Sequence, residues 1–213
     1  EKLGLKAVRD LHAYYVSRET QIPDKLLRIV ERFKEKGNVT VRNIDMGRLN
    51  DELKIIQGLY NATLNRNWGF IPISLEDLQF AAGDLKAFVQ PDLVLIAEKD
   101  GEPVGFSMLL PNINEIMWKV KKSSRLGQVL KFIWNLKMNP PKEARLAVLG
   151  VKPEFQASGV AAVFYYETIV RGRQRFLGAE ASWIEESNTP MIRSLEMLGG
   201  KKYKNYRVFE KNL

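Results

Sequence analysis

The sequence predicts an α/β protein with a mixed sheet and helices on both faces. Short β-branched runs alternate along the chain with longer apolar patterns of helical period, and turn residues stand between them. Two central runs, Leu93–Glu98 and Pro103–Leu110, are separated by little more than Asp100-Gly101, which makes them an antiparallel pair joined by a tight turn. With 213 residues, 45% of them hydrophobic and 27% charged, the chain is long enough for a core without covalent staples.

In chain order, Glu1-Lys-Leu-Gly-Leu-Lys6 reads as a helix end and a glycine turn, followed by a Tyr-containing strand to Val16. The pattern recurs as Glu196-Met-Leu-Gly-Gly-Lys201, with four of six positions identical, before a strand over Tyr203–Lys211. The echo points to a tandem duplication. Residues 1–37 are expected to be the remnant of a truncated N-terminal half plus a charged linker helix over 17–37, and 38–213 the main domain. Val39–Ile44 alternates as a strand. Leu49–Leu64 carries Leu49, Leu53, Ile56, Leu59, Tyr60 and Leu64 on one helical side. Ser74-Leu-Glu-Asp77 resembles a capping box and opens a helix to about Val89. After the central hairpin come a strand over Ala144–Val151, a helix from Gly159 to Leu177 and a strand over Ala179–Glu186. A helix over Thr189–Leu198 precedes the last strand.

Composition narrows the chemistry. The absence of cysteine excludes disulfides, thiol nucleophiles and thiolate metal sites. The one histidine, His12, excludes a multi-histidine metal centre and reads as a surface or core residue; no metal is expected. No apolar run approaches the ~20 residues that span a bilayer, and no signal peptide opens the chain, so the cytoplasm is the expected compartment.

The net charge of +8 is concentrated. Residues 119–145 hold eight basic residues and one acid, Glu143. Within this block Leu126, Val129, Leu130, Ile133 and Leu136 recur at helical spacing beside Phe132 and Trp134, and Pro140-Pro141 stops the helix. Such a segment serves either as a cover for the domain's own core or as a peripheral contact with anionic membrane. Nucleic acid is disfavoured, because the aromatics do not interleave with basic residues in an RNA-binding pattern.

The segment richest in chemistry runs from Val148 through Leu149, Gly150 and Val151 to Gln156-Ala157-Ser158-Gly159-Val160-Ala161. A strand passes through a tight loop into a helix, so free N–H groups and the positive end of the helix dipole face the loop. The arrangement is either a plain helix-start turn or a cradle for a phosphate-bearing ligand. It is neither a Walker loop nor a dinucleotide fingerprint.

This loop, the Val151-x-Pro153 strand exit, Asn188 and the ending Ser194-Leu-Glu-Met-Leu-Gly-Gly200 before a strand resemble the GNAT acyltransferase superfamily over residues 38–213. The order of elements does so too, and the tandem-looking arrangement with the Trp-Ile-Glu-Glu-x-Asn stretch at 183–188 resembles uncharacterised bacterial tandem GNAT-like proteins. The resemblance implies a GNAT-like mixed, mostly antiparallel twisted sheet with helices on both faces. It also implies an N-acyltransferase that moves an acyl group from a CoA thioester to an amine by direct attack. Acetyl-CoA or a longer acyl-CoA would be the co-substrate. Gln156, Ala157, Ser158, Gly159, Val160 and Ala161 would hold its pyrophosphate, Leu149, Gly150 and Val151 would offer backbone groups to the pantetheine and acyl carbonyl, and Asn188 would lie near the coenzyme arm. The family's closing-helix tyrosine, the acid for the departing thiolate, aligns with Leu195, so the usual proton donor is missing from its place.

Amide formation needs a base for the ammonium proton. Glu185 and Glu186, at the end of the strand before Asn188, are the carboxylate candidates, and only one can face the substrate on an alternating strand, with the preference to Glu186. Tyr165, Tyr166, Tyr203 and Tyr206 are spare acids. The loop containing Asn67, Trp68 and Phe70 suits either an acceptor wall or a packed turn. Two other readings stand beside the enzyme: a non-catalytic acyl-CoA-binding module, and a long-chain acyltransferase acting on a lipid amine at the inner membrane face.

Overall fold

The computed structural model describes residues 4–121 and 125–211, and of 125 and 126 only the backbone. Glu1, Lys2 and Leu3 of the repeated hexapeptide, and the Leu126 side chain of the apolar stripe, lie outside the described residues. Among the described residues seven strands form one sheet: β1 (Lys6–Ser17), β2 (Thr40–Asn43), β3 (Val94–Lys99), β4 (Glu102–Pro111), β5 (Ala144–Val151), β6 (Gly178–Glu185) and β7 (Lys201–Glu210). Their spatial order is β2-β3-β4-β5-β6-β1-β7. Every neighbouring pair is antiparallel except β5 and β6. The helices are α1 (Asp24–Lys36), α2 (Leu49–Thr63), α3 (Leu75–Leu85), α4 (Asn114–Val120), α5 (Arg125–Met138), α6 (Val160–Gly172) and α7 (Thr189–Met197).

Alternation along β3 shows why helices cover both faces. Leu95 and Ala97 join Leu26, Val30 and Phe33 of α1 and Val160, Val163 and Phe164 of α6 in one core. Val94 and Ile96 point the other way, into a second core with Ile56 and Leu59 of α2 and Phe106 of β4. Local signals set the helix ends. Pro23 precedes α1, whose apolar Leu26, Val30 and Phe33 fall at helical spacing, and Gly37 closes it in the left-handed conformation at φ 62°. Ser74 accepts the Asp77 N–H at 3.1 Å, as the capping box predicts.

An ion-pair network locks β2 to α2 and β3. One terminal nitrogen of Arg42 lies 2.9 Å from both carboxylate oxygens of Glu52, and the other lies 2.8 Å from Glu98. Glu52 is only 2% exposed, so the guanidinium compensates a carboxylate withdrawn from water.

Strand β1 enters the sheet between β6 and β7, and α1 packs on α6. Residues 6–36 therefore share the sheet and core of the rest of the chain. Gly4 before β1 and Gly199 before β7 both take left-handed φ values, 71° and 72°, so the glycine of the repeated motif adopts the same conformation twice.

Candidate acyl-CoA site

Strands β5 and β6 pair only at their starts, Ala144–Leu146 against Ala179–Ala181. Beyond Leu146 β5 continues beside β4 alone, with Val148 opposite Met108, Leu149 opposite Ser107 and Gly150 opposite Phe106. The sheet is thus split, and the β6-facing edge of residues 147–151 has no strand partner among the described residues. Backbone groups on that edge are available to an extended ligand. Nearby, the Ser107 hydroxyl is fully buried and without a partner among the described residues. Helix α2 docks tightly on the split strand: a β-carbon on Gly150 would clash with Thr63 Oγ1 at the end of α2. Only glycine permits that approach.

The split strand leads directly into the loop singled out by its sequence. Pro153–Ser158 forms a 3₁₀ turn, Gly159 adopts φ 94°, and α6 begins at Val160 with Gly159 as a cap that lacks a side chain. Ser158 gives Val160 N only a long 3.4 Å contact. Gln156 and Ala157 are exposed, and Lys99 stacks on Phe155 with its ammonium 5.5 Å from the ring centre. An accessible helix start with a cation beside it fits an anionic group such as a pyrophosphate.

Glu185 and Glu186 part company in the structure. Ile184 is buried with Tyr14, Ala181 and Leu195 on the α6–α7 side, so Glu185 turns to the opposite face. There it forms an ion pair with Arg9 of β1. The same guanidinium lies 5.3 Å from the ring centre of Trp68. Glu186 is exposed and accepts the Asp10 N–H at 3.2 Å. On the Glu185 face, Arg145 of β5 stacks on Trp183 at 5.6 Å and donates to Ser182 O at 3.2 Å. Spacing held no signal for Arg9 or Arg145, because strand pairing across the whole chain brings them to Glu185 and Trp183.

The loop that follows α2 is part packed and part exposed. Phe70 packs against Tyr60, ring centres 5.7 Å apart, while Trp68 and Asn67 stay exposed. Farther along β6, burial works to raise the Glu180 carboxyl, but hydrogen bonds from Ser182, Tyr203 and Lys204 outweigh it and hold the group below its ordinary range.

Leu195 is buried, and no hydroxyl stands at its position. Tyr165 of α6 is near it instead. The two residues line one apolar cavity of about 60 Å³, together with Leu146 and Ala181 at the base of the split. The Tyr165 hydroxyl meets Met191 Sδ at 2.8 Å. Burial pushes this phenol up to about 12, so it carries its proton at neutral pH. Asn188 caps α7 by accepting the Met191 N–H at 3.3 Å through Oδ1, which leaves its amide N–H groups for a ligand. His12 faces Asn205 at 2.6 Å, away from these groups.

Comparison with known proteins adds three findings. A family model described as the acetyltransferase (GNAT) family matches residues 60–199. Protein YghO of Escherichia coli is 32% identical and bacterial ceramide synthase of Caulobacter vibrioides 34% identical, each across 100% of this chain. The chain spans only 56% of the length of either relative. The solved GCN5-related N-acetyltransferase from Sphaerobacter thermophilus superposes on 98% of the chain and 53% of its own, with TM-score 0.63 and 15% identity, a likeness of fold. The split sheet, the loop into α6 and the family match together establish that this chain belongs to the GNAT acetyltransferase family.

Proposed function

We propose that the chain is an acyl-CoA-dependent N-acyltransferase whose acceptor is an amine carried by a lipid. The observation that carries the acyl-transfer reading is the free edge of β5 at 147–151 running straight into the exposed start of α6. Amides of Gln156–Ala161 hold the co-substrate's pyrophosphate, and the backbone of Leu149–Val151 aligns the pantetheine and fixes the acyl carbonyl. Asn188 contributes its free amide to the coenzyme arm.

The acceptor enters from the face of Trp68, Trp183 and Glu185. Glu185, oriented by Arg9, takes the proton of the ammonium, and the neutral amine attacks the thioester carbon. The new C–N bond forms, the tetrahedral intermediate collapses, and the C–S bond breaks. Tyr165 protonates the departing thiolate, in the role left open by Leu195, and regains its proton through solvent from the nitrogen, which sheds its remaining extra proton to become the neutral amide. Asn67 and Trp68 form the polar and apolar parts of the acceptor wall, with Phe70 as its internal support.

The lipid acceptor is supported by the likeness to the bacterial ceramide synthase, since a ceramide is a long-chain amino alcohol acylated on nitrogen. Work at the inner membrane face, with 119–145 as a peripheral contact, belongs to the same reading. The test supplies acetyl-CoA or palmitoyl-CoA with a long-chain amino alcohol and follows free thiol and N-acylated product. Thiol release that requires the amine, with palmitoyl-CoA preferred, is the expected result. Product from a short water-soluble amine but none from the long-chain amine would remove the lipid acceptor. Intact acyl-CoA binding with no transfer to any amine would favour a non-catalytic binding module.

A further inference from the structure

Helix α5 does not turn its apolar side to the core. Phe132 and Leu136 are half-buried, whereas Val129, Leu130, Ile133, Trp134 and Met138 spread over one arc and are exposed. Leu130 is 62% exposed and Trp134 57%. The adjoining α4, which precedes it and packs on it, adds Met117 and a Trp118 that is 72% exposed. The carboxylate of Glu115 accepts the backbone N–H groups of Lys142 and Glu143 at 3.2 and 3.0 Å, tying the start of α4 to the approach to β5. Single exposed apolar residues need no explanation, but two adjoining helices with large apolar groups exposed mark a binding surface.

Charge identifies what it binds. Lys119, Lys121, Lys137 and Lys142 are exposed around these apolar groups, and Lys121 sits over the Trp118 ring at 3.0 Å. Residues 119–145 carry net +7 of the chain's total of +8. An apolar arc with tryptophans and a basic surround matches the boundary between acyl chains and anionic headgroups. With 14 residues α5 is too short to cross a bilayer, and no helix among the described residues is long and apolar enough to do so. We infer that α4 and α5 form a docking surface for an anionic lipid bilayer, with α5 lying in the membrane plane. The inference deepens the lipid-amine reading by assigning the surface that meets the lipid.

Co-sedimentation of the 213-residue chain tests it, using phosphatidylcholine vesicles with and without about 30% phosphatidylglycerol. Binding to the anionic vesicles alone at ~0.01 M ionic strength, with a blue shift of tryptophan emission, is expected, and it should weaken strongly near 1 M. Leu130→Glu combined with Trp134→Glu changes only exposed side chains, so the melting temperature should hold while vesicle affinity falls roughly tenfold or more. No sedimentation with anionic vesicles at low salt, or equal binding by the variant, would overturn the inference. A lipid-free dimer that the variant dissolves would also overturn it, assigning the patch to a second copy. Acyl-CoA binding, measured on the same samples by thermal shift, separates this outcome from failure of the acyltransferase reading.

Discussion

Glu185→Gln is expected to lower kcat by roughly 10²–10⁴, the range for loss of a positioned general base, while acyl-CoA affinity stays near wild type. Glutamine keeps the shape of the side chain and removes its capacity to hold the proton. Glu186→Gln should leave turnover close to wild type, because that carboxylate is exposed and faces the Asp10 amide rather than the Trp183 face. Steady-state kinetics with a saturating acceptor, alongside acyl-CoA titration, distinguishes the two. If Glu186→Gln shows the loss and Glu185→Gln does not, the base has been assigned to the wrong neighbour. Equal activity in both variants would point to a water chain or another group as the proton acceptor.

Arg42→Met should be the most damaging substitution for stability outside the core. It leaves Glu52, 2% exposed, without the guanidinium that meets both its oxygens. Stranding a buried carboxylate in this way costs ~3–5 kcal/mol. For a chain of this length that corresponds to a fall of roughly 6–20 °C in melting temperature. Adding Glu52→Leu should recover much of the loss, since an apolar pair of similar volume removes the uncompensated charge. Thermal unfolding of the single and double variants checks both statements. A single variant as stable as wild type would show that Glu52 finds other compensation.

Much of the architecture is legible in the sequence because it depends on local patterns. The Asp100-Gly101 hairpin, the Ser74 cap and the apolar face of α2 sit where period and turn chemistry place them. The loop from Val151 to Ala161 is legible for the same reason: its small residues and its place between strand and helix are sequence properties. Other features depend on contacts between distant segments. Nothing near β1 tells that it lies between β6 and β7, so Arg9 gave no hint of its pairing with Glu185. Residues 185 and 186 are equivalent by alternation until burial of Ile184 assigns the faces. Helix α4 is short and carries no strong period, so its seven residues escape a pattern reading. The apolar stripe of α5 was readable as amphipathic, but not which part of it meets the protein. In the structure Phe132 and Leu136 are half-buried while Leu130 and Trp134 stay in water.

The most direct test of the central claim, that the split between β5 and β6 and the turn into α6 hold acyl-CoA, is a thermal shift with acetyl-CoA, palmitoyl-CoA and free CoA at fixed ionic strength. A ligand bound only by the folded state, at 100 times its Kd, adds about 2.7 kcal/mol. At this chain length that is a rise of roughly 5–10 °C. Ala157→Glu supplies the control, since Ala157 is exposed in the loop and a carboxylate there opposes a pyrophosphate without disturbing the core. The predicted result is stabilisation of the wild-type chain that the variant loses while its ligand-free melting temperature is retained. A folded chain that none of the three ligands stabilises, or a variant stabilised as much as wild type, would contradict the claim.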